Sequence, residues 1–194
     1  MQSKRRGWFR RLIPRTELPK ILHIESSTLT CSVAVAIDGK CVSIRESHDK
    51  QYSHSEKLVV FIDQVINDVR LKPSELDAVC VAKGPGSYTG LRIGVSAAKG
   101  LCYGSDLPLI SVGSLESMAN WAATNFSNQI ASDSTLCPMI DARRMEVYSQ
   151  LFNNSLVESR PIVAQIIDEQ SFDQELEAAP VVFFGDGAAK CKEV

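Results

Sequence analysis

The sequence comprises 194 residues and 21.3 kDa, of which 44% are hydrophobic and 23% charged. These values are typical of folded globular proteins and exclude a wholly disordered, collagen-like or fibrous chain. Residues 1–20 carry seven basic groups and one acid, which leaves 14 basic and 22 acidic groups on the remainder, a net charge of −8. Because a negative surface repels phosphate, this remainder is not predicted to bind nucleic acid by itself.

Residues 1–19 form a basic extension, which we interpret as a disordered segment or as the product of an upstream start site. The alternative is a transit peptide, which an Arg-rich, acid-poor start resembles. The longest apolar run, Ala78–Ala82, is far shorter than the roughly 18 residues of a membrane span, so no membrane association is predicted. The six cysteines lack C-x-x-C spacing, which favours buried thiols in a reducing cytoplasm.

Three strands are predicted at the start of the folded part. The Asp38-Gly39 pair favours a two-residue hairpin turn between the second and third strands. In the register that this turn imposes, Cys31 lies opposite Glu46, so Cys31 and Cys41 do not form a disulfide. The predicted strands are Lys20–Glu25, Thr30–Ile37 and Lys40–Glu46.

A helix is predicted over residues 53–70, where Ser53 and Glu56 form a capping box. Its apolar stripe is wider than contact with one sheet requires, because Val59 and Val60 extend it. The additional apolar surface is either core or a surface for a partner. The stripe itself consists of Leu58, Phe61, Ile62, Val65, Ile66 and Val69.

Strands and helices alternate after this helix. Ala78–Ala82 is a continuous apolar run, typical of a strand covered on both faces. We then predict a turn at Gly84–Gly90, a helix over 91–103, a strand over 108–112 and a helix over 114–126 that begins with a Ser114 cap. Three meandering strands followed by this alternation resemble the ribonuclease-H-like half of an actin-type α/β fold.

The pattern divides the folded part into a first half over residues 20–110 and a second half over 111–194. In the second half, strands are predicted at 136–141, 145–152, 156–163 and 181–184, with a helix around 168–178. This half begins like a second copy of the same plan. Only seven residues follow Gly187, too few for the closing helices of such a half, so we expect it to be incomplete.

The loop Gly84–Gly90 (GPGSYTG) joins a buried strand to a helix start, where free amides and the helix dipole can hold an anion. It matches neither a Walker A loop nor G-x-G-x-x-G. Either it is a tight turn capped by Ser87 or Thr89, or it holds phosphate with Arg92 as the nearest cation. The residues of this candidate site are Gly84, Gly86, Ser87, Thr89, Gly90 and Arg92.

Small residues recur every four positions along the helix that follows this loop. They form a flat strip that fits either closely onto the helix's own sheet or onto another helix. Leu91, Val95 and Lys99 leave a second, partly apolar side of the helix for another contact. The strip consists of Gly90, Gly94, Ala98 and Cys102.

Glu25, Ser27 and Thr28 place a carboxylate and hydroxyls at the end of the first strand. In phosphotransferases of the actin superfamily an acid in this place helps to orient magnesium and the attacking water. Strand ends rich in Ser and Thr also form ordinary turns. An ATPase or small-molecule kinase that uses Glu25 and the Gly84–Gly90 loop is therefore the alternative function.

No catalytic residue and no metal site is predicted. The three histidines lack metal-ligand spacing, and the G-x-S-x-G pattern of a serine nucleophile is absent. The segment Asp141–Tyr148 mixes both charges, so it is either a solvated hairpin tip with ion pairs or a recognition site.

Several blocks together resemble the TsaB family, also called YeaZ, in their order along the chain. They span Ile21 to Tyr148, and the GPGSYTGLRIGVSAAKGL block is highly specific. The other blocks are ILHIESST, SHSEKL, PLISVGSLES and DARRMEVY. The resemblance implies an actin-like fold and a role in forming N6-threonylcarbamoyladenosine in tRNAs that read A-starting codons.

The resemblance also implies that the chain lacks the activity of TsaD, the catalytic relative once labelled a glycoprotease. TsaD holds a metal with two histidines just after the strand that matches PLISV, and alignment places Ser114 and Met118 at those positions. A thioether is a poor ligand for iron or zinc held by histidines. Glu25 stands where most members of the TsaB family carry aspartate, which weakens a phosphate role there.

For the TsaB family the resemblance implies that helices matching 53–70 and 91–103 pair with the equivalent helices of TsaD, or with a second copy when the protein is alone. TsaE joins this assembly, ATP or ADP sits at the contact with the partner, and tRNA is bound mainly through TsaD. The expected interface residues are Leu58, Phe61, Ile62, Val65, Leu91, Gly94, Val95, Ala98 and Lys99. A peptidase, the old label of the family, is disfavoured by the missing histidines and the missing serine triad.

Overall fold

The computed structural model describes residues 18–48 and 54–192. The basic extension up to residue 17 and Ser53 of the predicted capping box lie outside these ranges. Nine strands and five α-helices are found in the described part, with a single 3₁₀ turn at Pro73–Glu75. The strands are β1 (Lys20–Glu25), β2 (Thr30–Ile37), β3 (Lys40–His48), β4 (Ala78–Ala82), β5 (Leu109–Val112), β6 (Thr135–Asp141), β7 (Glu146–Phe152), β8 (Glu158–Ile166) and β9 (Val181–Phe184). The helices are α1 (His54–Asp68), α2 (Tyr88–Ser105), α3 (Ser114–Asn125), α4 (Asp173–Ala178) and α5 (Asp186–Lys190).

The first sheet has the order β3-β2-β1-β4-β5, with an antiparallel hairpin edge and a parallel remainder. This confirms the predicted strands and the hairpin at Asp38-Gly39. The predicted pairing of Cys31 with Glu46 is wrong, because Cys31 lies opposite Ser47. An irregularity between Val35 and Ala36 leaves one extra residue in β3 and shifts the register by one position.

One side of this sheet forms the main core of the chain. Leu22, Val33 and Val79 point to that side and are fully buried under α1 and α2. Alternate residues of β1 and β2 are buried, whereas all five residues of β4 are buried, the pattern of a parallel strand covered on both faces. Strand β5 pairs with β4 as far as Val112, so the first sheet extends two residues beyond the predicted division of the halves.

The second sheet has the order β8-β7-β6-β9, which repeats the order of the first four strands of the first sheet. Helix α3 packs on β6 and β7 of this second sheet. The repetition confirms the prediction of an actin-like α/β fold with two ribonuclease-H-like halves. Within the described residues the second sheet has no equivalent of β5.

Several predicted boundaries differ from the structure. In the first half, α2 begins at Tyr88 rather than 91, within the predicted Gly84–Gly90 turn, because Ser87 caps the helix. Differences in the second half also have local causes. Helix α4 begins at Asp173 rather than 168, because Asp168 and Ser171 form a hydrogen-bonded turn and Phe172 has the left-handed φ of 73°. Strand β8 begins at Glu158 rather than 156, since Leu156 has a left-handed φ of 59° in the preceding turn. The cap of α3 is Gly113 and not Ser114.

Helix α4 is tied to the second sheet by Arg160 of β8. The guanidinium donates to the Glu175 carboxylate at 2.7 Å and to the Ser149 hydroxyl at 3.1 Å. It also lies over the Phe172 ring, 4.8 Å from the ring centroid. This partly buried arginine therefore joins the short helix to two strands through both charge and ring contacts.

No helix in the described ranges is long and apolar enough to cross a membrane.

We predict that the stability of the fold depends on the ionisation of His23 in β1. Burial lowers the pKa of His23 below its ordinary value of 6.5, because desolvation disfavours the imidazolium. The unfolded chain therefore binds this proton at a higher pH than the folded chain does, and stability falls as the pH drops through 6.5 towards the folded pKa. Urea unfolding between about pH 7.5 and about pH 5.5 should show a shallower pH dependence in His23→Gln. An unchanged dependence in that variant would contradict the prediction.

Candidate functional site

The loop Gly84–Gly90 is fastened to the end of β1. The Ser87 amide donates to the Ser27 carbonyl at 2.6 Å, and the Ser26 hydroxyl donates to the Gly90 carbonyl at 2.9 Å. Gly86 has a φ of 150°, and a Cβ on it would overlap the Ser27 carbonyl oxygen. The structure thus brings together two of the predicted segments, Glu25–Thr28 and Gly84–Gly90, by direct backbone contact.

The start of α2 is capped by its own loop. The Ser87 hydroxyl accepts from the Gly90 amide at 3.2 Å, and the Ser87 carbonyl accepts from Leu91 at 2.9 Å. Arg92 lies over the Tyr88 ring, 5.3 Å from the ring centroid. These contacts favour the turn interpretation, because they use amides and the cation that a bound phosphate would require.

A polar cavity of about 600 Å³ lies between these two segments and the turn that joins β6 to β7. Its lining includes Ser27, Thr28, Ser87 and Thr89 from the two segments and Tyr148 from β7. The charged residues of its lining are Asp141, Arg143 and Asp186. The cavity therefore brings five of the nine predicted phosphate-site residues together with part of the Asp141–Tyr148 segment. The other four, Glu25, Gly84, Gly90 and Arg92, do not line it.

Asp141 of the Asp141–Tyr148 turn forms an ion pair with Lys190 of α5, a residue outside the predicted segment. Asp141 accepts hydrogen bonds from Lys190 of α5 and, at 2.7 Å, from the Arg143 amide. Burial alone would raise the pKa of Asp141, but the bond from Lys190 and the nearby positive charges outweigh it and lower the pKa below its ordinary value. Lys190 also donates to the Glu146 carbonyl at 2.6 Å, so the turn is held to α5 as a unit. Arg143 and Arg144 both have left-handed φ, 74° and 50°.

A second cavity of about 700 Å³ lies between the halves, beside the loop that joins β1 to β2. Its apolar wall consists of Leu29, Met118, Trp121 and Phe184. Among the described residues that line it, the charged ones are the carboxylates Glu25 and Asp186, with His48 at the rim and no lysine or arginine. Such a wall disfavours a phosphate group, since nothing in it compensates the negative charge.

Ser114 and Met118 lie one turn apart on α3 and both line this second cavity. The Ser114 hydroxyl is buried without a hydrogen-bond partner. In residues 18–48 and 54–192, no three His, Cys, Asp or Glu side chains are grouped so that they could hold a metal ion. A hydroxyl and a thioether do not replace the two imidazoles that the resemblance expects at these positions.

The residues exposed on α1 and α2 are not those of the predicted interface. Five of its nine residues are buried inside the chain and cannot contact a partner: Leu58, Ile62, Val65, Gly94 and Ala98. Phe61, Leu91 and Val95 are half-buried, and Lys99 is exposed. The amphipathic stripe marks the side of a helix that faces its own sheet, which is why it identified core residues.

Exposed apolar and aromatic residues missed by the interface prediction lie outside the buried stripes of the same helices. Val59 and Val60 are 65% and 50% exposed on α1, and Tyr88 and Tyr103 are 74% and 94% exposed on α2. The two valines were visible in the sequence as apolar residues outside the i, i+3, i+4 stripe. We define these four residues, together with Leu91, Val95 and Lys99, as the outer helical face.

Comparison with protein families gives a match over residues 47–193 to the family described as TsaD, tRNA N6-adenosine threonylcarbamoyltransferase. The chain is 34% identical over 153 residues to the tRNA threonylcarbamoyladenosine biosynthesis protein TsaB of Bacillus subtilis, covering 78% of this chain and 61% of the relative. For TsaB of Haemophilus influenzae the identity is 34% over 128 residues, 66% of this chain and 51% of the relative. The chain thus spans about half to three fifths of the length of these TsaB relatives.

A TsaD sequence and a solved structure show the same likeness. The tRNA N6-adenosine threonylcarbamoyltransferase of Staphylococcus saprophyticus is 34% identical over 112 residues, 50% of this chain and 33% of the relative. The structure of YeaZ from Pseudomonas aeruginosa superposes with a TM-score of 0.61 at 23% identity, covering 76% of this chain and 64% of that one. At this identity the superposition shows a shared fold.

We predict that Gly94→Ala lowers the free energy of unfolding by about 1 to 3 kcal/mol, the usual cost of overpacking a core. A Cβ at Gly94 would overlap the buried Ser26 hydroxyl, which already donates to Gly90. The matched control is Gly100→Ala in the same helix, where a Cβ meets open space. It should raise stability by about 0.5 to 1 kcal/mol. Equal effects of the two variants in denaturant unfolding would refute the close contact of α2 with β1.

Proposed function

The chain belongs to the family of TsaD and TsaB proteins of tRNA threonylcarbamoyladenosine biosynthesis, and on that premise we propose that it acts as a non-catalytic, TsaB-type partner of TsaD. In this role it supports formation of N6-threonylcarbamoyladenosine in tRNAs that read A-starting codons. The observation that carries the proposal is the pair Ser114 and Met118 on α3, whose side chains face the cleft where the resemblance expects the metal-binding histidines of TsaD. Without those ligands, we infer that the chain supports the reaction of TsaD and does not catalyse it.

The outer helical face is the surface that we assign to the contact with TsaD. Because α1 and α2 lie side by side on one side of the first sheet, their outer sides form one continuous surface. Exposed valines and tyrosines on two adjacent helices are typical of a protein interface. In the absence of TsaD, the same face pairs two copies of this chain.

Charge supports a pairing of α1 with the partner's counterpart of α2. The exposed charged residues of α1 include Glu56 and Asp63, whereas those of α2 include Arg92 and Lys99. In a two-fold contact, residue i of one molecule meets residue j of the other and j meets i, so opposite charges on neighbouring helices can meet across it.

We place ATP or ADP at the contact with TsaD rather than inside the cleft of this chain, because the second cavity offers carboxylates and no lysine or arginine among its described lining residues. TsaE joins through the assembled complex. The acidic body has little attraction for tRNA, so tRNA is bound mainly through TsaD. A cytoplasmic location belongs to the same proposal.

The polar cavity favours one alternative, an actin-fold ATPase or small-molecule kinase. Ser27, Thr28, Ser87 and Thr89 all line the cavity, and Glu25 lies two residues before Ser27 at the end of β1. This alternative requires magnesium-dependent ATP hydrolysis by the chain alone, with loss of hydrolysis in folded Glu25→Ala. The proposed function predicts two results instead: the chain alone does not hydrolyse ATP, and mixing it with TsaD restores tRNA modification.

We predict that Val60→Glu weakens the complex with TsaD at least about tenfold, because an unpaired carboxylate would be buried in the contact. Val60 is half-exposed in the single chain, so the variant should fold normally. A charge at Ile62 is unsuitable for this test, because Ile62 is 7% exposed and belongs to the core.

The matched control is Val157→Glu, a 59% exposed valine before β8 and away from both helices. Light scattering coupled to size-exclusion chromatography would measure complex formation, and nucleoside analysis of tRNA would measure modification. Val60→Glu and Val157→Glu with the same affinity for TsaD would show that the outer helical face is not the contact.

A further inference from the structure

The turn between β6 and β7, residues 142–145, carries two exposed arginines to which the proposed function gives no role. We call this turn the hairpin tip. Arg143 and Arg144 are the only adjacent basic residues in the ranges 18–48 and 54–192. Within these ranges neither guanidinium donates a hydrogen bond or forms a salt bridge. Asp141 lies near Arg143, but its carboxylate is bonded to Lys190 of α5 instead.

Hydrogen bonds fix the backbone of the hairpin tip. The Ala142 amide donates to the Glu146 carbonyl at 3.0 Å, and the Glu146 amide donates to the Arg143 carbonyl at 3.1 Å. The Arg143 amide also donates to the Asp141 carboxylate at 2.7 Å, and Lys190 donates to the Glu146 carbonyl at 2.6 Å. Because the backbone is already ordered, less conformational entropy is lost when the two arginines bind than would be lost in a mobile loop.

Both arginines have a backbone conformation that disfavours a side chain. The φ angles of Arg143 and Arg144 are 74° and 50°, in the left-handed region that glycine adopts without steric cost. The chain thus has two arginines at positions where glycine would relieve strain. Such strain is typical of residues whose side chains are used for function.

The hairpin tip is a point of positive charge on an acidic body. Residues 141–146 and Lys190 together contain three basic and two acidic groups, whereas residues 21–194 contain 14 basic and 22 acidic groups. The repeated fold does not place a helix on this tip. Helix α3 packs on β6 and β7 of the other half rather than on the β1–β2 loop, which is the counterpart of the tip in the first half.

The hairpin tip also lies close to the surface assigned to TsaD. Arg143 and Tyr88 line the same polar cavity, and Tyr88 belongs to the outer helical face. A polyanion held by a protein docked on that face is therefore within reach of the tip.

We propose that Arg143 and Arg144 contact the phosphate backbone of the tRNA that TsaD holds. This inference rests on the proposed function, in which this chain is the partner of TsaD. A guanidinium group donates two parallel hydrogen bonds to phosphate oxygens, which suits it to this contact. Phosphate contacts position an RNA without reading its sequence. The tip thus adds a local contact to the binding by TsaD, although the body as a whole is acidic.

The test measures binding of an unmodified tRNA transcript to the complex of the full chain with TsaD, by fluorescence anisotropy between about 50 and about 200 mM salt. Arg143→Gly and Arg144→Gly should each weaken binding about two- to fivefold and reduce the slope of log K against log salt concentration by about 0.7 to 0.9. Because glycine suits the left-handed backbone, urea unfolding should show no loss of stability in either variant. Arg144→Lys keeps the charge and should retain the slope.

The matched control is Arg70→Gly, two residues after α1. Arg70 is also exposed, has a left-handed φ of 54° and forms no salt bridge with any described residue. Its replacement removes the same charge from the same backbone conformation. Both the affinity for tRNA and the salt slope should stay unchanged.

Three results would overturn the proposal. Equal effects of Arg144→Gly and Arg70→Gly would show that only net charge matters. Weaker binding of Arg144→Gly to TsaD without tRNA, measured by light scattering, would assign the hairpin tip to the protein contact. Weaker binding of ATP or ADP with an unchanged salt slope for tRNA would assign the arginines to a nucleotide.

The same measurements separate this inference from the proposed function. If the unaltered chain does not bind TsaD, the proposed function and this inference both fail. If the complex forms normally and the salt slope is the same in all variants, only this inference fails.

Discussion

The close contact between the start of α2 and the end of β1 is the constraint on which the rest of the first half depends. Gly86 lies against the Ser27 carbonyl and Gly94 lies against the Ser26 hydroxyl, at distances that leave no room for a Cβ. Two hydrogen bonds, from Ser87 and from Ser26, join the same two segments. Because α2 approaches the sheet so closely, its small residues Gly94 and Ala98 are buried against the chain's own core. Its aromatic residues Tyr88 and Tyr103 remain exposed.

This contact also shapes the cleft between the halves. It fixes the loops that border the polar cavity, and it leaves the start of α2 capped by Ser87 rather than open to an anion. Across the cleft, Ser114 and Met118 of α3 supply a hydroxyl and a thioether in place of metal ligands. The proposed partner role follows from these side chains, and the outer helical face, elsewhere on the molecule, carries four of the exposed apolar and aromatic residues.

Much of the fold could be predicted because it follows from local patterns. The alternation of β1 and β2, the continuous apolar run of β4 and the Asp38-Gly39 turn each lie within a few residues, and the structure confirms them. The errors arose where local patterns were overruled. The irregularity at Val35 shifted the pairing of Cys31, and left-handed residues at Leu156 and Phe172 moved the start of β8 and of α4. None of these positions is a glycine, so nothing in the sequence signalled a left-handed residue or an irregular strand there.

The sequence by itself determined which segments become strands and helices, and which side of each helix is apolar, because these depend on spacing along the chain. Only the tertiary structure decided which apolar residues are left for other contacts. Leu58 and Val65 were drawn into the core while Val59 and Val60 stayed exposed, because α1 can turn only one side to the sheet. Likewise, Ser26 and Gly90 are 64 positions apart and meet only through the sheet order β1-β4 and the return of α2. Contacts at that separation are set by packing of the whole half, which no local pattern encodes.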